Sequence, residues 1–264
     1  MTNKIKIALT ALTGILLITS CYKREDSITK LQTDPGLNLA YIKFINVYTA
    51  PSPSAASPAA GPTVNVFVNN VKVNAAAVAY GGVFPAAPAY AGITPGLAVN
   101  IKVVLNRTTG TALPSDTISN KNYDLGSNTY TTFYLADTIP NPTPDNTYIL
   151  PYIEQVTNAQ IRYFKARFVN MIPSLDTLEV FSKRLNAVIF KGTLFKNASD
   201  IIEIPTFTLT DTLQLRKVSA PATVLAQTLP TVFFPTSARV YTVYCYGNIT
   251  GVPKTRVLTF FTNR

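Results

Sequence analysis

The chain predicts an all-β protein of two tandem immunoglobulin-like antiparallel β-sandwich domains, and three observations carry that expectation. Short runs rich in β-branched and aromatic residues place apolar side chains at every second position, the period of a sheet with one wet face. No window of a dozen residues holds an i, i+3, i+4 apolar stripe with caps, and 19 prolines punctuate the connections. A pattern of strands also recurs once along the chain at a spacing of about 110 residues, the size of one sandwich.

Taken in order, the chain opens with an export signal. Lys4 and Lys6 precede the apolar stretch Ile7 to Ile18, which is too short to span a bilayer, and Ile18-Thr19-Ser20-Cys21 resembles a bacterial lipoprotein signal. Residues 1–20 are therefore expected to be removed and Cys21 to be acylated. An ordinary cleaved signal or an uncleaved membrane segment are the competing readings, and the polar run Tyr22 to Asp26 opposes the second. Two or more acyl chains would give durable attachment to a lipid bilayer. Glu25-Asp26 after Lys23 also looks like a surface-export signal of some Gram-negative lipoproteins, so the expected address is the outer membrane, on its periplasmic side or at the cell surface. Residues 21–36 read as a flexible tether, 37–159 as the first sandwich domain and 160–264 as the second.

Strand candidates in the first copy are Leu39 to Val47, Val64 to Val68, Val99 to Leu105, Thr129 to Ala136 and Thr147 to Glu154. Those in the second are Ile161 to Asn170, Leu178 to Ser182, Phe207 to Arg216, Arg239 to Tyr246 and Arg256 to Thr262. The copies align through a shared Phe-(Ile/Val)-Asn step at the end of the first strand, Phe44 to Asn46 against Phe168 to Asn170. Val64 to Val68 then answers to Leu178 to Ser182, Ile101 to Leu105 to Leu213 to Lys217, and Tyr130 to Leu135 to Tyr241 to Tyr246. The Ala/Ser/Pro tract Ala50 to Pro58 is an insertion whose composition cannot form a packed strand.

Lys165 to Phe181, with Arg167-Phe168-Val169-Asn170, a Pro-Ser loop and Leu178-Glu179-Val180-Phe181, resembles the opening of the domain-of-unknown-function 4397 family. The first copy matches the same two strands, Tyr41 to Val47 and Val64 to Val68, without the family's loop. The resemblance implies sandwich architecture in an exported bacterial protein and carries over no catalytic or binding residue.

Chemistry is narrowed by composition. The chain has no histidine, which removes Ser-His-Asp and Cys-His catalysis and the usual zinc sites. No glycine-rich phosphate loop or cysteine pair is present, so no cofactor and no metal site are expected. With Cys21 acylated, Cys245 is the remaining cysteine, and its apolar strand predicts a buried structural thiol. The 13 Asp and Glu are scattered, and a carboxylate-based glycosidase is the third-ranked function. The expected function is a non-enzymatic structural or interaction role; a glycan-binding lipoprotein for polysaccharide capture is the alternative.

Charge is concentrated. The excess of basic over acidic residues is +2 in residues 1–36, zero in 37–159 and +8 in 160–264. Arg162, Lys165, Arg167, Lys183, Arg184, Arg216, Lys217, Lys254 and Arg256 form a possible patch for an anionic partner. An acidic glycan, lipopolysaccharide or an acidic protein would feel that field, and no nucleic-acid module is visible. A solubilising surface that protects sheet edges is the competing reading. Asp-(Ser/Thr)-aliphatic triplets mark Ser27, Thr117, Thr138, Thr177 and Thr212 as possible O-glycosylation sites, against the simpler reading that Asp closes a loop and Thr begins a strand. The tyrosines of the two matching strands, Tyr130, Tyr134, Tyr241, Tyr244 and Tyr246, are expected to pack in the sheets more than to stack on sugars.

Overall fold

A computed structural model describes residues 38–48, 62–106, 116–136, 149–154, 156–173, 176–206, 209–229, 233, 235–247 and 256–263. The chain divides into Met1–Asn38, of which only Asn38 is described, and Leu39–Arg264, one compact unit. Cys21, the signal and tether, and the Ala50 to Pro58 tract lie outside the described residues. Among those described there is no α-helix, and no helix is long and apolar enough to cross a membrane.

The first half contributes β1 (Ala40–Asn46), β2 (Val64–Val68), β3 (Val71–Lys72), β4 (Val83–Phe84), β5 (Ala91–Ile93), β6 (Gly96–Leu105), β7 (Thr117–Leu125), β8 (Tyr130–Leu135) and β9 (Ile149–Ile153). The second contributes β10 (Tyr163–Asn170), β11 (Leu178–Ser182), β12 (Ala187–Thr193), β13 (Asn197–Ala198), β14 (Ile202–Pro205), β15 (Leu213–Lys217), β16 (Ala220–Gln227), β17 (Val240–Tyr246) and β18 (Val257–Thr262). The sheets repeat strand for strand. β4-β1-β8-β9, with β5 also on β1, matches β13-β10-β17-β18, with β14 also on β10; β3-β2-β6-β7 matches β12-β11-β15-β16. The fold is thus an all-β sandwich built twice. Pairing is antiparallel throughout the sheets except that β1 runs parallel to β8 and β10 parallel to β17.

Each half closes on its own core. Ile42, Phe44, Val64, Val66, Ile101, Val103 and Phe133 fill the first; Phe168, Leu178, Val180, Leu213, Leu215, Val243 and Cys245 fill the second. The alternate residues of the same inner strands are buried too. Ile45, Val47, Tyr134 and Ala136 from the first half pack against Val169, Met171, Tyr244 and Phe261 from the second. The four sheets are therefore stacked, with β1 and β8 facing β10 and β17 in the middle. A strand covered on both faces reads as a near-continuous apolar run; β17 and most of β1 do, while β8 keeps Thr131 and Thr132 and β10 keeps Lys165 and Arg167 within the run.

The repeated Phe-(Ile/Val)-Asn step has a local cause. Asn46 is buried; its Nδ2 donates to the carbonyls of Pro62 and Val78, and its Oδ1 accepts from Tyr48 N. Asn170 does the same at the equivalent corner, donating to Thr193 O and accepting from Ile172 N. A short amide that bends back to its own backbone two residues on ends the strand and ties in a distant loop. Gly81, at φ 74°, sits where the first half's loop meets the second, and a Cβ there would collide with the Tyr246 hydroxyl.

Register corrects one alignment. Phe44 pairs with Phe133 and Phe168 with Val243, so Tyr130 answers to Val240, not to Tyr241. The one-residue difference matters, because in a strand it exchanges the two faces. The expected strand Phe207 to Arg216 begins later, at Leu213, after an isolated bridge between Asp211 and Phe233.

Candidate functional site

The residues of the expected cationic patch differ in exposure. Arg162, Lys183 and Arg184 are exposed, Lys165, Arg216, Lys217 and Arg256 half-buried, and Lys254 lies outside the described residues. Arg167 is a correction: it is buried, because its strand faces the first half and not solvent. Several of the others have local partners. Lys165 pairs with Glu203 at 3.7 Å, Lys217 with Asp176 at 2.5 Å, and the Arg216 guanidinium lies 3.6 Å from the centre of the Phe181 ring. Lys183 and Arg184 lie beside a shallow cavity of about 650 Å³ that also touches Leu185, Pro205, Thr206 and Thr210.

Asp211 accounts for that corner. The buried carboxylate accepts from Ser182 Oγ in a very short hydrogen bond and from Arg184 N at 3.0 Å, and Ser182 Oγ accepts from Leu185 N. This fixes the β11–β12 turn. Of the possible glycosylation sites, Thr117, Thr177 and Thr212 are half-buried at or just before the starts of β7, β11 and β15, and Ser27 and Thr138 lie outside the described residues. Tyr241 and Tyr244 are buried and Tyr134 is fully so; Tyr130 is half-buried, stacked on Tyr41 at 4.6 Å. Cys245 is buried and free, and burial pushes its thiol up to about 12, far from nucleophilic range.

The concentrated polar chemistry lies between the halves. Arg167 reaches the Glu154 carboxylate at 2.8 Å and donates to Ile153 O at 3.1 Å. Glu154 Oε2 also accepts from Thr242 Oγ1 and from Asn263 Nδ2. Lys43 enters from the first half; it is completely buried, and its Nζ lies 4.4 Å from the Tyr90 ring centre and 4.8 Å from that of Phe261 without a hydrogen-bond partner. Burial lowers its pKa to about 8, with Glu154 opposing the shift. The arrangement has an approximate two-fold logic. Lys43 and Arg167 are equivalent residues, each three before the corner asparagine, and each spans the interface to a ring: Lys43 to Phe261 and Arg167 to Tyr152, the latter at 5.4 Å. Tyr134 and Tyr244, also equivalent, meet edge-on at 5.8 Å.

The charge in Tyr41-Ile42-Lys43-Phe44-Ile45, alone in an otherwise apolar and aromatic run, was a visible signal of this cluster. Glu154, Tyr90 and Asn263 had none, since what brings them together is the facing of two sheets.

No family model matches the chain, and no curated protein does. Among solved structures, similarity is to a putative cell adhesion protein from Bacteroides uniformis, at 8% identity over 86% of this chain and 100% of that one, with a TM-score of 0.23. A leucine-rich repeat protein from Bacteroides thetaiotaomicron gives 12% identity over 80% of this chain and 26% of the other, with a TM-score of 0.19. Likenesses at that level carry no argument about function.

Proposed function

We propose that the chain is an envelope-anchored lipoprotein whose paired sandwiches serve contact with a partner and not chemistry. The observation that carries this reading is the four-sheet stack. It commits the inner sheets, and the Lys43, Glu154 and Arg167 charges with them, to holding the halves together, and it leaves the outer faces and sheet edges for recognition. The signal ahead of Cys21 and the resemblance of Lys165 to Phe181 to an exported family support the envelope address.

Anchoring is tested on protein extracted from native membranes. Intact mass should equal the chain from Cys21 plus acyl groups, and Cys21→Ser should release it; an unacylated, freely diffusing native protein overturns the anchor.

A second reading, capture of acidic glycan, is favoured by Lys183 and Arg184 beside their cavity. The whole mature chain should then be retained on immobilised heparin in moderate salt, and Lys183→Glu with Arg184→Glu should abolish retention. The whole chain is required, because a separated half would expose Tyr134 or Tyr244 and their apolar neighbours.

A further inference from the structure

We propose that β18 is a docking edge for an extended, acidic segment of a partner protein, which adds to the sheet as a further strand. The inference rests on the contact reading above and assigns it a surface and a partner chemistry.

β18 ends the sheet β13-β10-β17-β18 and pairs with β17 over its full length without a register shift. Asn263 N donates to Val240 O, so by alternation Phe261, Thr259 and Val257 bond to β17, and Leu258, Phe260 and Thr262 turn their N–H and C=O groups outward. None of those outward groups has a partner among the described residues. The strand also carries no charge and no proline.

The other sheet edges among the described residues are blunted in ways that discourage strand addition. Pro151 stands in the middle of β9 with its nitrogen on the outer side. β7 carries Lys121 and Asp124, and β3, β4, β5 and β13 have two or three residues each. β12 and β16 break register against their neighbours, β16 with Pro221 in the break, and β14 ends in Pro205. The contrast is sharpest at equivalent positions: Phe133 pairs with Pro151 in the first half, and its counterpart Val243 pairs with Phe260 in the second.

Charge names the occupant. Arg256 immediately precedes β18, and Arg239 stands beside its far end, roughly 20 Å away for a six-residue strand. Neither is in an ion pair among the described residues. Arg239 also lines a cavity of about 410 Å³ with Phe260, Phe261, Thr262, Ala87, Pro88 and Thr236. An added strand would satisfy the open backbone groups, place one side chain in that cavity and set carboxylates against both arginines. Main-chain bonds supply affinity in such an arrangement and the end charges supply selectivity.

The probe is a fluorescein-labelled peptide of alternating valine and threonine with two glutamates at each end, titrated against the acylated full-length mature chain in detergent. Saturable binding is expected, weakened about tenfold or more when lysines replace the glutamates or in Arg239→Glu with Arg256→Glu. Thr262→Pro, which removes one outward N–H as Pro151 does in β9, should abolish it at unchanged melting temperature. Should that variant unfold, the arginine variant still decides. Equal binding of the lysine-ended peptide, indifference to both variants, or no saturable binding below about 1 mM overturns the proposal, with 1 mM marking affinities too weak for a specific site. A dimer in sedimentation that Thr262→Pro dissolves overturns it in favour of a second copy of this chain. Acylation of Cys21 is read separately by mass, so failure of the docking edge and failure of the anchored-contact reading are distinct results.

Discussion

The two halves use equivalent residues for unequal work, and Lys43 and Arg167 show it best. Both rise from the first strand of their sandwich into the shared interface, and both reach an aromatic ring of the other half. Arg167 meets a carboxylate; Lys43 meets none within hydrogen-bond reach. The residue answering to Glu154 beside the second half's edge strand is Asn263, so one side of the pseudo-symmetric pair has no counter-charge at that position. A buried ammonium without a partner gives up its proton more readily, and Lys43 accordingly has its pKa lowered to about 8. Two copies can thus share their backbone to the register while their interface chemistry differs.

The largest expected effect breaks the satisfied side. Arg167→Met removes the partner of a carboxylate whose side chain is fully buried, and leaves Glu154 with only Thr242 and Asn263. Loss of one member of a buried pair costs about 3–5 kcal/mol, measurable as a shift in the urea midpoint. A loss below about 1 kcal/mol would mean that solvent reaches the pair and that the halves are less tightly joined than the facing rings imply.

The corner asparagines should come next, and together, because there the copies are alike. Asn46→Ala and Asn170→Ala each strand buried backbone groups that the amide now satisfies, at about 1–3 kcal/mol. Asn46 should be the costlier, since its Nδ2 serves two carbonyls where Asn170 serves one. Equal losses would place the energy in the turn alone.

The paired corners and the strands leading to them were legible in the sequence, because Phe-(Ile/Val)-Asn occurs twice and the Asn has one obvious use at a strand end. The four-sheet stack was half legible. Val240 to Tyr246 and Tyr130 to Leu135 carry apolar or aromatic residues at positions of both parities, and a strand apolar on both faces needs a covering layer on both, whereas Lys165 and Arg167 hide this in the matching strand Phe164 to Val169. The alternation rule missed strands of two to four residues such as β3, β4, β13 and β14, too short to show a period, and also the longer outer strands β7, β12 and β16, whose polar, small or largely exposed residues carry no apolar alternation. Nor could spacing reveal that Arg167, patterned like a surface cation among its basic neighbours, faces the other half. The contact of Glu154 with Asn263 exists only through the facing of sheets, and that of Lys43 with Tyr90 through the pairing of β1 with the short β5.

Lys43 gives a smaller effect of opposite sign. Lys43→Met replaces a desolvated ammonium by an apolar chain of similar length among rings, and should leave stability unchanged or raise it by about 1–3 kcal/mol at pH 7. The pH dependence fixes the cause. A lysine whose folded pKa is about 8 and whose unfolded value is 10.5 binds its proton less well when folded. Its penalty is therefore full below about pH 8 and fades as pH rises toward 10.5, so the unfavourable gap between wild type and Lys43→Met should narrow across that window. Taking the difference between the two proteins cancels the buried tyrosines and Cys245, whose raised pKa values make stability fall in both at higher pH. A gap that stays constant from pH 7 to 10.5 would place the lysine's effect in packing.

The smallest effect on stability, and the sharpest on behaviour, is expected at Pro151. It is exposed, it withholds an outward N–H from β9, and Ile153 beside it on the same edge is 72% exposed. Pro151→Thr restores one outward N–H to β9, whose outward carbonyls at Ile149 and Ile153 stay bonded to Tyr123 Oη and Arg167, and removes no buried contact, so stability should change by less than about 0.5 kcal/mol. Association is another matter. An uncharged edge with an exposed apolar side chain at its end is an adhesive one, and the arginine at the end of β9, Arg167, is buried and held by Glu154, where Arg239 and Arg256 beside β18 are in no ion pair among the described residues. The variant should therefore self-associate with increasing concentration in sedimentation velocity, under conditions where the wild type does not. If Pro151→Thr stays as monodisperse as the wild type, one restored N–H is not enough to make an edge adhesive, and the weight of the β18 proposal shifts to its unengaged carbonyls and to Arg239 and Arg256.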